Sequence, residues 1–551
     1  MSDAMATPQA SDRLLATLIA WGIRDVFICP GSTEAAFLDA TVDFDGIKIW
    51  TATHEVTAVA MADGLSRSTG KPTAVFLHTS VGLANGVGGI YTAQIGQSPI
   101  LIMSGLKSLA IQSRRGFTAP PRVSDLVHAS VKWSWQSLEA NEIANDAARA
   151  LQVATTQPRG PVWLGLSEDL LAAPAPQAPF ETSPDRRRLS DVQPAATEIA
   201  RVARILVAAT SPVLVAGNDV ARDRASAQIM ELSELLAAPV FHEDRRSFER
   251  SVIDTSAPAY AGLYSARHPL VEQADLIAFL GARCFHEFES RNSSAPPAGA
   301  KIVQSATDPA ELGKTYGADA ALAGNQLLVL QSLVDEVKRL APEGRVLPRI
   351  EHLVPARTRL PGPDQSRMDV DDVARTIGEF VTKEVTVVVD ATTSNAAMAR
   401  IIPQRRVDQL LTTSSGNLGW GVGAALGVQV GQPEGRTICV LGDGSFQFGM
   451  QGLALASREK LTVLYVVVNN EAFAAVGAGL HRYGGRAVET NRYPGMDIKG
   501  PHIAQIAAGF GLESRRVWNA EELRAALAEF MTIGGPALIE VMTDPRDLGP
   551  A

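Results

Sequence analysis

Cysteine is scarce in this chain. Cys29, Cys284 and Cys439 are the only three in 551 residues, far apart and odd in number, with Cys29 and Cys439 ending apolar strands. They offer neither a disulfide framework nor a metal-binding spacing, so buried thiols in a reducing cytoplasm are expected. Clustered positive charge is also missing: the net charge is -9, and Arg186-Arg187-Arg188 is the one dense basic run. A nucleic-acid surface needs many Lys and Arg to neutralise phosphates, so that class is excluded, and the triple arginine reads as a solvated linker face. No uninterrupted apolar run approaches the roughly 18 residues of a membrane span, and nothing before Ser11 has the basic-then-apolar profile of a signal peptide. A cytoplasmic protein with no membrane partner is expected. Nor does any Gly-x-Gly-x-x-Gly open a helix, so the dinucleotide fingerprint is absent.

What is present describes an α/β enzyme. The chain is 46% hydrophobic, 20% charged and contains 46 glycines, a balance that suits a folded protein with many tight turns. Its length exceeds one ordinary core and suits about three domains. Two proline-rich stretches, 172–194 and 341–366, lack sustained periodicity and read as connections. They divide the chain into 1–175, 190–342 and 365–551. Apolar runs that read as strands, such as Asp25 to Cys29, Ala74 to His78, Pro212 to Gly217, Leu276 to Gly281, Val385 to Val389 and Thr437 to Leu441, alternate with helical segments. That alternation predicts three doubly wound parallel sheets.

Two of those runs end in chemistry. Thr437 to Leu441 delivers Gly442-Asp443-Gly444-Ser445, and Leu461 to Val468 delivers Asn469-Asn470. Ligands bind at the carboxyl ends of such strands. Asp443 offers a carboxylate, Asn470 an amide oxygen and the following turn a carbonyl, all oxygen ligands suited to Mg²⁺; the amides of Gly444 and Ser445 at a helix start suit a phosphate. The pair predicts a magnesium-bridged diphosphate. Alone, Gly-Asp-Gly serves equally as an ordinary strand-to-helix turn. In the same way, Glu55, which opens the Ala-rich segment Glu55 to Gly64 after the strand Ile47 to Trp50, is by itself a carboxylate on a helix dipole, worth about 0.3–1 kcal/mol. Thr392 and Thr393, between a strand and the helix starting near Asn395, suit either an anion or a helix cap.

Taken together, the motifs resemble the thiamine diphosphate-dependent 2-keto acid decarboxylase and carboligase family, closest to its benzoylformate decarboxylase branch. The resemblance covers nearly the whole chain: Cys29-Pro30-Gly31-Ser32 with Glu34, Leu77-His78-Thr79-Ser80 with Gly82 and Asn85, Gly416-Asn417-Leu418-Gly419-Trp420, the two motifs above, Tyr493-Pro494-Gly495-Met496-Asp497, and Gly535 to Val541. It implies a pyrimidine-binding first domain, a middle domain and a third domain that binds diphosphate and magnesium. Asp443, Asn470 and the carbonyl of Ala472 would hold Mg²⁺. Glu55 would touch the aminopyrimidine, Gly416 would accept from its exocyclic nitrogen, and Leu418 would wedge between the cofactor's rings. Gly444, Ser445, Phe473, Thr392, Thr393 and Asn85 complete the implied cofactor contacts.

For the substrate, a 2-keto acid or aldehyde, the resemblance implies Ser32 facing its carboxylate and His78 relaying protons. The family's second histidine falls at Phe288 by direct counting, with His286 two residues earlier as its candidate replacement. Ala475 and Val476 match substrate-lining positions, whereas Gly479 replaces a bulky aromatic and should open the pocket. Relatives build each site between the first domain of one subunit and the third of another, which implies a homodimer or homotetramer. The leading function is non-oxidative decarboxylation of a 2-keto acid, with carboligation as a second outcome of the same chemistry. An acetolactate synthase-like carboligase and a cofactor-binding regulatory relative are the alternatives.

Overall fold

The computed structural model describes residues 7–177, 182–285, 294–340, 344–362, 367–413 and 415–550. Its first sheet comprises β1 (Asp25–Cys29), β2 (Lys48–Thr51), β3 (Thr73–His78), β4 (Ile100–Leu106), β5 (Ser134–Gln136) and β6 (Val162–Ser167). The second comprises β7 (Pro212–Ala216), β8 (Val240–His242), β9 (Tyr260–Leu263), β10 (Leu276–Leu280), β11 (Lys301–Ala306) and β12 (Ala320–Ala323). After the short β13 (Arg357–Arg359), the third is built from β14 (Val385–Asp390), β15 (Leu410–Thr412), β16 (Arg436–Gly442), β17 (Val463–Asn469), β18 (Glu513–Val517) and β19 (Ala537–Met542). Every pairing within these three sheets is parallel. Their central strands are buried along their whole length, as a parallel sheet covered by helices on both faces requires.

The strand order of the first sheet, β2-β1-β3-β4-β6-β5, recurs in the third as β15-β14-β16-β17-β19-β18. The outer modules therefore share one topology although no sequence repeat announces it. The middle sheet runs β9-β8-β7-β10-β11-β12, the arrangement of doubly wound dinucleotide folds. Its crevice between β7 and β10 is closed by the chain itself. A Cβ on Gly217 would lie 2.1 Å from the carbonyl oxygen of Gly281, and Asn218 Nδ2 donates to Glu243 at 2.8 Å while Arg283 pairs with Glu249 at 2.6 Å. Protein groups fill the place where a diphosphate would approach, in keeping with the missing fingerprint.

The outer modules are joined through two helices. Helix Glu55–Thr69 is buried on nearly every side because helix Trp420–Gly431 lies against it. Their backbones touch: a Cβ on Gly64 would sit 2.1 Å from Ala424 O, and one on Gly427 2.0 Å from Met61 O. Val59, Met61, Val422 and Leu426 belong to one continuous core. Polar groups cross the same seam, with Trp420 Nε1 donating to Asp63 at 2.7 Å and Arg67 donating to Thr412 O at 2.9 Å.

Two expectations differ. The stretch 341–366 is not without strand structure, because β13 pairs antiparallel with β20 (Asp547–Pro550) at the far end of the chain. Such a short strand is created by its partner and leaves no local pattern. Cys439 lies inside β16 rather than at its end. All three cysteines are free. Among the described residues no helix is long and apolar enough to cross a membrane.

Candidate active site

Three neighbouring strands of the third sheet carry polar groups to one edge. Register pairs Asp390 of β14 with Leu441 of β16, and Gly442 with Val468 of β17, so Asp390, Asp443 and Asn470 emerge side by side. Apolar strands drive the placement: β14 and β17 are buried along their whole length and β16 along all but its two end residues. A cavity of about 380 Å³ opens there, lined by Thr392, Thr393, Gly416, Leu418, Asp443, Gly444, Ser445, Asn470, Ala472, Phe473, Ala475 and Val476.

Asp443 is 5% exposed, and burial pushes its carboxyl up to about 6. Oδ1 accepts from Gly444 N at 2.8 Å, whereas Oδ2 has no hydrogen-bond partner. The amides of Ala472 and Glu471 lie close enough to temper the rise. A buried carboxylate oxygen without a partner costs about 1–3 kcal/mol or more, and a hard cation would offset that cost. The twin asparagines divide their work. Asn469 faces the sheet, donating to Glu540 at 2.7 Å, while Asn470 Oδ1 accepts from Ala472 N at 3.1 Å in the turn beside the cavity. The Tyr493–Asp497 turn pins that segment: Ala472 bridges to Asp497, and Phe473 N donates to Met496 O at 2.7 Å.

Gly444 makes room for a ring, since a Cβ there would lie 2.6 Å from Phe473 Cε1. Leu418 stands between Gly416 and Gly419, whose φ values of +73° and +87° only glycine adopts without strain. Those two turns push Leu418 toward the cavity it lines. Behind it, Asp390 accepts from Gly419 N and Gly421 N at 3.0 Å and from Ser445 Oγ at 3.1 Å. Burial raises this carboxyl to about 6 as well. Sequence reasoning passed over Asp390, although it ends an apolar strand just as Asp443 follows one. The donor set of Asp443, Asn470 and the Ala472 carbonyl, together with the partnerless oxygen and the glycine-lined cradle, fits a magnesium-bridged diphosphate.

A second cluster forms at the edge of the first sheet. Glu55 is the first residue of its helix and 9% exposed, and Asn85 Nδ2 donates to its Oε2 at 3.1 Å. His54 caps the helix by accepting from Val56 N at 3.2 Å. Ser32 lies exposed on the 3₁₀ turn Ser32–Glu34 that follows β1. His78 ends β3, and a Cβ on Gly31 would lie 2.4 Å from its Nδ1, which is why the Pro30-Gly31-Ser32 turn contains glycine. Cys29 lies beside Glu55, its thiol pushed up to about 12 by burial and by the Glu55 and Glu34 carboxylates.

Within one chain the two clusters remain separate. The cavity is lined by no described residue before Arg357, so Glu55, Ser32, His78 and Asn85 do not reach it. Gly479 lies one helical turn beyond Ala475 and Val476, outside the cavity lining, with nothing within 4 Å of its Cβ position. His286 and Phe288 lie outside the described residues. Arg357 also escaped sequence reasoning: it lines the cavity and is held by Asp547 of β20 at 2.6 Å. Only the fold reveals it, since its partner is at the other end of the module.

Comparison with known proteins agrees with this arrangement. The chain matches the thiamine pyrophosphate enzyme N-terminal TPP binding domain over residues 8–126, the central domain over 199–333 and the C-terminal TPP binding domain over 390–541. Benzoylformate decarboxylase of Pseudomonas aeruginosa is 30% identical over 95% of this chain and 96% of its own length. The acetolactate synthase isozyme 1 large subunit of Escherichia coli is 26% identical over 96% and 92%. Among solved structures, the thiamine diphosphate-dependent 4-hydroxybenzoylformate decarboxylase of Rhodococcus jostii superimposes with a TM-score of 0.86 at 26% identity, covering 98% of this chain and 99% of its own. Benzoylformate decarboxylase of Polynucleobacter necessarius gives 0.87 at 25%, with the same coverage.

Proposed function

The chain belongs to the thiamine pyrophosphate enzyme family, and on that premise we propose that it is a non-oxidative 2-keto acid decarboxylase of the benzoylformate decarboxylase type. The observation that carries the reading is the grouping of Ser32 and His78 with Glu55 at one sheet edge, around Gly31 and Gly82, apart from a cavity suited to a magnesium-bridged diphosphate. The first group has the side chains that a carboxylate-bearing substrate needs; the second holds the cofactor. In this reading the domains are 1–175, 190–342 and 365–551, and the protein works in the cytoplasm, in accord with three free thiols.

Asp443, Asn470 and the Ala472 carbonyl hold Mg²⁺, while Gly444, Ser445, Thr392 and Thr393 receive the diphosphate. Leu418 would pack against the bound cofactor's rings and the Gly416 carbonyl would accept from its amino group. Bound thiamine diphosphate supplies a carbon nucleophile and an acceptor for the electrons released when a carboxylate leaves as CO₂. Glu55 holds a proton against the aminopyrimidine, with Asn85 orienting its second oxygen. Ser32 hydrogen-bonds the substrate carboxylate, and His78 moves a proton to or from the substrate oxygen. Ala475 and Val476 present apolar side chains to the acyl group from the rim of the same cavity. A survey of aromatic and branched 2-keto acids with the magnesium-loaded enzyme is expected to release CO₂ and aldehyde; no release from any of them counts against the assignment. Full-length similarity to acetolactate synthase supports carboligation as the second reading, and accumulation of acyloin in place of aldehyde would favour it.

The complete site needs a second copy. Along helix Thr79–Ile95, Val81, Ala84, Asn85 and Tyr91 fall on one exposed face, with Val81 55% and Tyr91 44% exposed. Asn85 binds Glu55 from that face. A homodimer or homotetramer that covers it brings the partner's cofactor cavity to Glu55. Glu55→Gln and Asp443→Ala chains, each inactive alone, are then expected to complement after subunit exchange. A hybrid dimer has one site with both lesions and one with neither, so random exchange restores roughly a quarter of the sites. No recovery despite demonstrated exchange would place both residues in one chain's site.

A further inference from the structure

The turn Ser32–Glu34 carries a carboxylate that the reading above leaves without a task. Glu34 is fully buried, and a buried carboxylate is costly unless donors answer it. Here they do. Gly31 N donates to Oε2 at 2.7 Å, Thr33 Oγ1 donates to Oε1 at 2.6 Å, and His78 Nδ1 stands 3.0 Å from Oε2. The backbone is shaped to admit the group: a Cβ on Gly105 would fall 1.9 Å from Glu34 Oε1. Only glycine permits this approach.

The proton positions follow from counting donors. Thr33 has one hydroxyl proton; its shortest acceptor is Glu34 Oε1, and the Gly105 carbonyl at 3.2 Å is the other. Toward His78 Nδ1, 3.0 Å away, Thr33 Oγ1 is therefore an acceptor. Both neighbours of Nδ1 accept, so in the neutral ring Nδ1 carries the proton and Nε2 has the lone pair. The imidazole is 25% exposed. Gly82 separates it from Glu55, since a Cβ there would lie 3.0 Å from Glu55 Oε1 and 3.6 Å from His78 Cβ. The ionisable groups beside it include Glu55, with His54 3.9 Å from that carboxylate, and Cys29, whose thiol stays protonated.

We propose that Glu34 is a positioning residue that fixes His78 in its Nδ1–H tautomer, leaving Nε2 unprotonated as the atom that exchanges protons with the substrate. The inference rests on the reading of His78 as the relay. It extends that reading to a residue which never touches the substrate.

Nitrogen-15 NMR of histidine-labelled apo chain, with His78→Gln to assign the signal, tests the tautomer without any turnover. The wild-type ring is expected to carry its neutral-state proton on Nδ1; a proton on Nε2 overturns the proposal, whether or not any variant folds. Glu34→Leu keeps most of the volume but removes both acceptors, which frees the Thr33 hydroxyl to donate to Nδ1, and is expected to move the population to Nε2–H. Retention of Nδ1–H in that variant also overturns it. With the relay role in place, kcat of Glu34→Leu is expected to fall about 100-fold or more with KM changed only a few-fold, as when a catalytic histidine is left in the wrong tautomer. A tautomer change with unaltered kcat leaves the positioning role standing and removes His78 from catalysis, which separates failure of the two readings.

Discussion

Replacing Asp443 with alanine is expected to abolish retention of cofactor and metal while leaving the apo chain at least as stable as before. Both halves follow from one observation, the partnerless Oδ2 of a carboxylate that is 5% exposed. In the apo chain that oxygen is a liability, since leaving a buried acceptor unanswered costs about 1–3 kcal/mol. Truncation removes the liability, so the apo melting temperature holds or rises. Once a cation is bound, the same oxygen is a ligand, and its removal is expected to weaken metal-dependent cofactor binding by more than about 100-fold, since loss of outer-shell partners alone costs 10–100-fold. The sign of the pH dependence also follows. Burial raises the carboxyl to about 6, so the apo fold gains stability as pH falls through that value toward the unfolded pKa, because the folded chain then takes up a proton that the unfolded chain does not. Metal binding needs the ionised form and fails over the same interval. Calorimetric titration with thiamine diphosphate and Mg²⁺, with thermal melts of the apo and loaded protein, checks each part. Unchanged affinity in the variant would remove Asp443 from the site, and a sharply destabilised apo chain would show its role to be structural.

The cavity half of the site was legible because its parts end long apolar strands. A buried parallel strand leaves an unbroken run of Val, Ile and Leu, and the polar residues after it lie at the sheet edge; that rule pointed to Asp443 and to the pair Asn469-Asn470, and the resemblance chose Asn470. Leu418 came from the resemblance, with its flanking glycines as the local signal, and both glycines take positive φ. Groups that act through distant partners were not legible. Arg357 meets Asp547 only because β13 and β20 pair across the module, and neither short strand has a periodicity of its own. Asp390 bonds to Gly419, Gly421 and Ser445, on three segments that meet only after folding. Glu34 stood in a recognised motif, yet its partnership with His78 depends on room left by Gly105, in a different strand. The first and third domains read as similar α/β modules, but their shared strand order was hidden, since it is set by crossover geometry rather than by repeated residues.

Glu55→Gln is expected to lower kcat by about 10²–10⁴-fold, the usual worth of a positioned acid or base, with cofactor affinity and melting temperature little changed. The substitution is close to isosteric at a site where one oxygen is already held. Asn85 Nδ2 donates to Glu55 Oε2 at 3.1 Å, and a glutamine carbonyl oriented the same way keeps that bond. It also keeps the helix start intact, because the capping bond is the one Val56 N donates to His54 Nδ1 and loss of the charge at the helix dipole costs only about 0.3–1 kcal/mol. What the amide cannot do is exchange a proton with the pyrimidine through its second position. The loss therefore falls on turnover rather than on binding. Glu55→Ala is a different experiment: it opens space beside Gly82 and Cys29, and it leaves Asn85 without its partner. Comparing the two separates the chemical role from the packing role. If Glu55→Gln retains activity within a few-fold of the parent while Glu55→Ala loses it, Glu55 is a packing and orienting residue. Equal losses in both, with melting temperature preserved in the glutamine variant, assign the loss to the proton.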